Sequence, residues 1–306
     1  MTLSDKYPRE MTEALEKLRL DAEQIIGPDS PFVKSLTSQP PPEHIYHYTD
    51  DVGLNGILES GKLWLTEIRN LNDPSELHHG FDIAVRELKE MVSGGSPESR
   101  KFAADLEFIA KKKTIQKSAD FFICSLSLCG DDLGQWRAYA DNGRGFALEF
   151  DATALEGGFP HDSFPLKYDD GKLAELDRRI IEKMLHLAHL PSYKDALSIA
   201  FMTYATNAAI FFKHTAYRNE MEYRFLETHS ADAAPTVGTR RRPYSLIRYR
   251  EYDWRSVASS ALTRIVVGPA ADQNKAAQFA EDCLALFHPP AKNVEILRSA
   301  IPYRVL

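Results

Sequence analysis

An α+β fold, of split mixed or antiparallel sheets carrying a helical insert, is the class this sequence predicts, and three observations predict it. Strand-like segments gather towards both ends of the chain, helical periodicity is grouped between them, and the strict strand-helix alternation of a doubly wound parallel sheet is missing. The 306 residues are 43% hydrophobic and 26% charged with 16 glycines, which excludes collagen-like, disulfide-scaffold and wholly disordered chains. Residues 1–43 read as an N-terminal helical appendage and linker, and 44–306 as a single α+β domain with its helical insert at about 171–214.

In order, Met11, Leu15, Leu18 and Ile25 or Ile26 mark an amphipathic helix over 9–26, and SQPPPE (38–43) breaks it off. HIYHYT (44–49) alternates as a strand, VGLNGILESG (52–61) reads as a helix closed by Gly61, and KLWLT (62–66) returns as a strand. In NLNDPSE, Asp73 suits a cap, Pro74 the first helical position and Glu76 a capping box, so a helix runs from there to about Met91. SGGSPES (93–99) links it to a charged helix ending in KKKTIQK (111–117), a solvated helix end, and FFICSLSL (121–128) reads as a buried strand. Asp132 with Gln135 three residues on starts a short helix that stops at Asn142-Gly143, before the strand GFALEFD. Leu173, Leu176, Ile180, Ile181, Met184, Leu185 and Ala188 step by three and four, and a second helix covers about 193–214. Strands follow at 221–228, 245–251, 263–268 and 294–301, with a helix at 272–287.

Thirty-seven basic residues against 44 acidic ones leave a formal charge of -7, so no global positive field is present to hold nucleic acid or an anionic membrane. Three cysteines, Cys124, Cys129 and Cys283, are an odd set that fits a reducing compartment, and the cytoplasm is the expected location. The start MTLSDKYPRE lacks a signal-peptide profile, and the most apolar stretch, 200–212, is interrupted by Thr203, Tyr204, Thr206 and Asn207; no membrane partner is expected.

Glycine-rich phosphate loops, G-x-S-x-G, H-E-x-x-H and C-x-x-C are all missing, which removes standard kinases, dehydrogenases and zinc proteases. The polar concentrations that remain begin with Tyr46-His47-Tyr48-Thr49. In NEMEYRFLE, read as a strand, Glu220, Glu222 and Arg224 share one face, with the two carboxylates about 7 Å apart. Such a pair suits stabilising positive charge or activating a hydroxyl; an edge strand with Glu222 paired to Arg224 or Arg218 is the bland alternative. Ser125 and Ser127 fall on one face of an otherwise apolar strand and look towards something polar, ligand or backbone. Trp136 and Tyr139 could stack on a flat ring, with Arg144 reaching a phosphate, or could anchor their helix to the sheet. His47 alone fits a half-buried structural histidine, and His186 and His189 read as surface. Asp73, Glu76, His78 and His79 could hold a metal, although capping accounts for the two acids. Arg240, Arg241 and Arg242, with Arg248 and Arg250, could receive a nucleotide or nucleic-acid phosphate, a solvated loop being the default.

Taken in order, YHYT, ILESGKLWLT, LNDPSE, CSLS, W-x-x-Y-A-D-N-G-R-G and E-x-E-Y-R resemble a large bacterial family known as a domain of unknown function, over roughly residues 44–270. A strand bearing His-Tyr, an I-L-x-x-G helix and a late Glu-x-Glu strand are also distantly similar to the ADP-ribosyltransferase fold, in which NAD lies between two small sheets. That second resemblance implies an NAD-consuming enzyme of the toxin or defence-effector kind, with NAD as substrate and a protein or nucleic acid as acceptor. It implies that His47 holds a ribose hydroxyl, an aromatic such as Tyr48 contacts nicotinamide, Ser125 or Ser127 supports the pocket, Glu222 is the catalytic carboxylate and Glu220 steers the acceptor. CSLS replaces the usual Ser-Thr-Ser, and the insert is not part of the minimal fold. The expectation is that His47, Ser125 and Glu222 converge on one cavity. The alternatives are a non-catalytic nucleotide or nucleic-acid binding module using Trp136, Arg144 and the Arg240 cluster, and a metal-dependent phosphodiester hydrolase using Asp73, Glu76 and His78.

Overall fold

A computed structural model describes residues 9–27, 29–37, 40–70, 76–111, 119–187, 194–230, 236–288 and 294–304. The first half forms α1 (Arg9–Ile26), α2 (Pro31–Thr37), β1 (His44–Thr49), α3 (Asp51–Ser60), β2 (Leu63–Glu67), α4 (Glu76–Val92), α5 (Pro97–Lys111), β3 (Ala119–Ser127), α6 (Leu133–Tyr139) and β4 (Phe146–Asp151). The second half forms α7 (Ala152–Gly157), β5 (Asp162–Pro165), α8 (Asp170–Leu185), α9 (Lys194–Ala209), a 3-10 turn (Thr215–Glu220), β6 (Glu222–Ser230), β7 (Gly238–Arg242), β8 (Ser245–Tyr252), α10 (Trp254–Ala258), β9 (Leu262–Val267), α11 (Gln273–Phe287) and β10 (Glu295–Arg298).

Aspartate starts many of these helices. Asp50, Asp132, Asp151, Asp169, Asp253 and Asp272 each accept the backbone N–H three residues on, at the heads of α3, α6, α7, α8, α10 and α11. Each such cap is worth about 1 kcal/mol, because it satisfies a donor that the helix cannot. The sequence signal at Asp132 is therefore real. Gly61 ends α3 at φ +69°, the left-handed conformation expected of a closing glycine.

The sheet branches at β3. β6 runs antiparallel along all of it, from Ala119 opposite Ser230 to Ser127 opposite Glu222. A strand has two edges, so β1 and β2 must share the other: Tyr46 of β1 pairs with Ser127, while Thr66 and Glu67 of β2 pair with Ile123 and Phe122. The two strands part between those points, at Ser125. One wing continues from β1 through β4 and β9 to β10, the other from β2 through β8 to β7, and β5 pairs with β6. The β9–β10 pair is parallel and the other described pairs are antiparallel. The described strands join in one mixed, open sheet where split sheets were expected, and the class is α+β, as expected.

Both faces are covered. On one, Met11, Leu18 and Ile25 of α1, Phe81 and Leu88 of α4, Leu173 and Ile180 of α8, and Phe201 of α9 are buried with Ile123 and Leu226. The N-terminal helix thus shares a core with the helices of the insert. On the other face, Ile45, Leu126, Leu148 and Phe225 pack with Leu54 and Leu58 of α3, Trp254 of α10 and Leu284 of α11. Among the described residues no helix is long and apolar enough to cross a membrane.

Three expectations change. Residues 238–242, expected as a solvated loop, form β7, an outer strand whose three successive arginines, Arg241 and Arg242 of them exposed, carry no apolar alternation to reveal it. Glu220 does not lie on the strand with Glu222: Met221 takes φ +45°, which ends the 3-10 turn, and β6 begins only at Glu222. Asp162–Pro165 adds β5, a four-residue strand too short to read from periodicity. Asn72, Asp73, Pro74, the lysine-rich run at 112–117 and His189 lie outside the described residues, as do the side chains of Glu76 and His78.

Candidate functional site

Ser125 lies where β1 and β2 part along β3, and it is exposed while its neighbours Cys124 and Leu126, which point to the opposite face, are buried. Pairing across β3 and β6 puts Ser125, Ser127, Glu222 and Arg224 on one face of the sheet. The Ser125 hydroxyl donates to Glu222 Oε1 at 2.5 Å. Ser127, buried, donates instead to the Glu220 carbonyl at 2.9 Å and so ties the preceding turn to the strand.

Glu222 is 4% exposed. Its Oε1 also accepts from Arg224 Nε and Nη2 at 2.9 and 2.8 Å, and its Oε2 accepts from Lys213 Nζ at 3.0 Å. The same ammonium lies 2.5 Å from Glu220 Oε2, while Tyr139 donates its hydroxyl to Glu220 Oε1 at 2.8 Å. Tyr168 accepts the Glu222 backbone N–H at 2.9 Å. The two carboxylates are therefore bridged by a buried cation rather than standing free side by side. Burial by itself would raise the Glu222 pKa, but the charges of Arg224 and Lys213 and the hydrogen bonds from Ser125 and Arg224 outweigh it and hold it at about 2. Glu222 is thus ionised at neutral pH and unsuited to donate a proton. Burial pushes the Tyr168 phenol up to about 12, and burial with the Glu220 charge pushes Tyr139 up as well.

His47 stands one residue out of phase with Tyr46, so it faces the opposite way from Ser127 and Glu222, alongside Leu148 across the β1–β4 pair. It does not share a surface with the carboxylate. It meets the other side of the same branch point: burial and then the Arg240 charge lower its pKa to about 4, and a hydrogen bond with the Ser125 backbone opposes them. Ser125 is the residue common to both, with its hydroxyl on Glu222 and its backbone against His47. His47 Nδ1 and Arg240 Nε are both buried without a hydrogen-bond partner.

Of the remaining expected residues, Tyr48 and Trp136 serve the framework. Tyr48 donates to the Cys129 carbonyl at 2.9 Å, accepts the Asp132 N–H at 3.2 Å, and meets Trp136 edge-on. Thr49 is buried at the end of β1. Trp136 is fully buried with its indole N–H on Asp131 at 2.7 Å, so it anchors α6 and presents no ring face to a ligand. Arg144 is exposed, 3.9 Å from Asp141. The arginine cluster divides: Arg248 pairs with Glu67 and Asp120, and Arg250 with Glu227. Arg240 lies over the Trp64 ring, and Arg241 and Arg242 are exposed. Tyr168 is a site residue that the sequence did not single out, and Lys213, at the head of the polar stretch 213–224, was given no role of its own. A lysine after a helix and a tyrosine before one carry no spacing that marks them.

Residues 135–225 match a family model described as a protein of unknown function, DUF2971. No curated protein and no solved structure matches the chain. The matched stretch includes Tyr139, Tyr168, Lys213, Glu220, Glu222 and Arg224, the carboxylate half of the site, while His47 and Ser125 lie before it. Over residues 135–225, then, the chain is similar to the DUF2971 family, whose function is unknown.

Proposed function

We propose that the protein is an NAD-consuming enzyme of the ADP-ribosyltransferase kind, acting at the branch point of the sheet. One observation carries the reading: a solvent-exposed serine in mid-sheet donates to a buried carboxylate that is held ionised and already binds a cation together with a second carboxylate. When the bond between nicotinamide and ribose breaks, its electron pair leaves with nicotinamide and the ribose becomes positively charged. A fixed carboxylate stabilises that charge without giving up a proton. Glu222 takes this role, Ser125 orients it, and Glu220 directs the acceptor, a protein, nucleic acid or water. Lys213 occupies the cation position in the resting chain, so substrate has to displace it.

The test is nicotinamide release from NAD. Glu222→Gln should lower the rate at least 100-fold, about 2.7 kcal/mol of transition-state stabilisation, while circular dichroism and NAD binding stay unchanged. Equal rates in the variant and the natural chain would overturn the proposal. A non-catalytic nucleotide-binding module is the second reading, favoured by the unpartnered His47 Nδ1 and Arg240 Nε. Calorimetry with NAD, ADP-ribose and RNA separates the two, since binding without turnover supports the module.

A further inference from the structure

His79, Asp170 and His214 come from three separated parts of the chain: the first turns of α4, the first turn of α8, and the residue that leads into the 3-10 turn. His79 Nε2 lies 3.1 Å from Asp170 Oδ1, and the rings of His79 and His214 meet edge-on with centroids 4.7 Å apart. One ligand atom from each residue falls within 4.8 Å of the others. Around a tetrahedral zinc ion with bonds of about 2.0–2.1 Å, neighbouring ligand atoms stand roughly 3.3 Å apart. One pair already has that spacing. The third needs only a small side-chain adjustment, and His214 is exposed and able to make it.

We propose that these three side chains form a site for a divalent transition-metal ion of the zinc class. Two imidazoles and one carboxylate suit zinc and disfavour magnesium or calcium, which prefer oxygen ligands throughout. Three protein ligands leave a fourth position for water or an exchangeable group. The set keeps His79 from the Asp73, Glu76, His78 and His79 combination suggested by sequence, and takes its other two ligands from far along the chain.

The site is also connected to the carboxylate cluster. His214 Nδ1 accepts the Ala216 N–H at 3.1 Å and caps the turn that carries Glu220. A neutral imidazole bound to metal through Nε2 carries its proton on Nδ1, so it cannot accept that bond. Metal binding therefore uncaps the turn, immediately after Lys213.

Titration of the full chain with Zn²⁺ by calorimetry, and with Co²⁺ by visible absorption, tests the proposal. One Zn²⁺ per chain is expected, Co²⁺ should show the absorption of a tetrahedral ion, and Mg²⁺ should produce no heat. His79→Gln and His214→Ala should each weaken Zn²⁺ binding at least 100-fold, and Asp170→Asn at least tenfold. His186→Ala, a change at an exposed histidine, should leave it unaltered. Absence of Zn²⁺ binding, or binding equally strong in His79→Gln and His214→Ala with circular dichroism unchanged, overturns the site. Should His79→Gln not fold, His214→Ala alone decides, because its exposed ring is not part of the core. These readouts do not depend on NAD turnover.

Discussion

Lys213 directs its ammonium between two acids, 3.0 Å from Glu222 and 2.5 Å from Glu220, in a setting where all but 7% of the lysine is shielded from water. Removing one partner of a buried ion cluster leaves uncompensated charge and costs about 3–5 kcal/mol. Lys213→Met should accordingly destabilise the chain by that order, and adding Glu220→Gln should recover part of the loss. Urea denaturation of the single and double variants reads both. Additive losses would mean that the three groups are not energetically linked.

Ser125→Ala removes one hydrogen bond to a charged group, roughly 1.5–3 kcal/mol if the bond strengthens in the transition state. Nicotinamide release should fall about 10- to 100-fold with little change in stability, because Ser125 is exposed and Glu222 keeps Arg224 and Lys213. Ser127→Ala should instead lower stability and affect turnover less, since that hydroxyl holds the Glu220 carbonyl rather than the carboxylate.

Acid should unfold the protein in two ranges. His47 has its pKa lowered to about 4 from an ordinary 6.5, so the unfolded chain takes up the proton first, and stability falls as pH drops from about 6.5 to 4. Glu222 is held at about 2, below the ordinary carboxylate value, so its contribution is complete above about pH 4.5 and is lost as pH falls towards 2. Denaturation free energies measured from pH 7 to pH 3 should show a slope between 6.5 and 4 that flattens in His47→Gln. An unchanged slope would place the titrating group elsewhere.

Gly145 lies where the end of β1 meets the start of β4, and a Cβ there would stand 2.1 Å from the Thr49 carbonyl oxygen. Backbone cannot move aside as a side-chain tip can. Gly145→Ala should cost about 2–3 kcal/mol, read as a lowered denaturation midpoint, whereas Gly157→Ala, with open space at its Cβ, should be nearly neutral.

Local order was legible in the sequence. The Asp132 cap, the closing Gly61, the strand at 44–49 and the shared face of Ser125 and Ser127 are each set by residues within a few positions of one another, through dihedral preference, capping and pleat. The α+β class followed from the same short-range patterns. Glu220 was misplaced because one left-handed residue, Met221, interrupts an otherwise plausible strand.

What only the folded chain decided is which distant groups meet. That β1 and β2 share one edge of β3 and part at Ser125 depends on long-range pairing, which hydrophobic alternation does not encode. The arrival of Lys213 between the two acids, and of His214 beside His79 and Asp170, is likewise set by how α8 and α9 pack on the sheet. Side chains determine local conformation through nearest-neighbour sterics and hydrogen bonds. Charges become a site only when burial brings them within a few ångströms and removes the water between them.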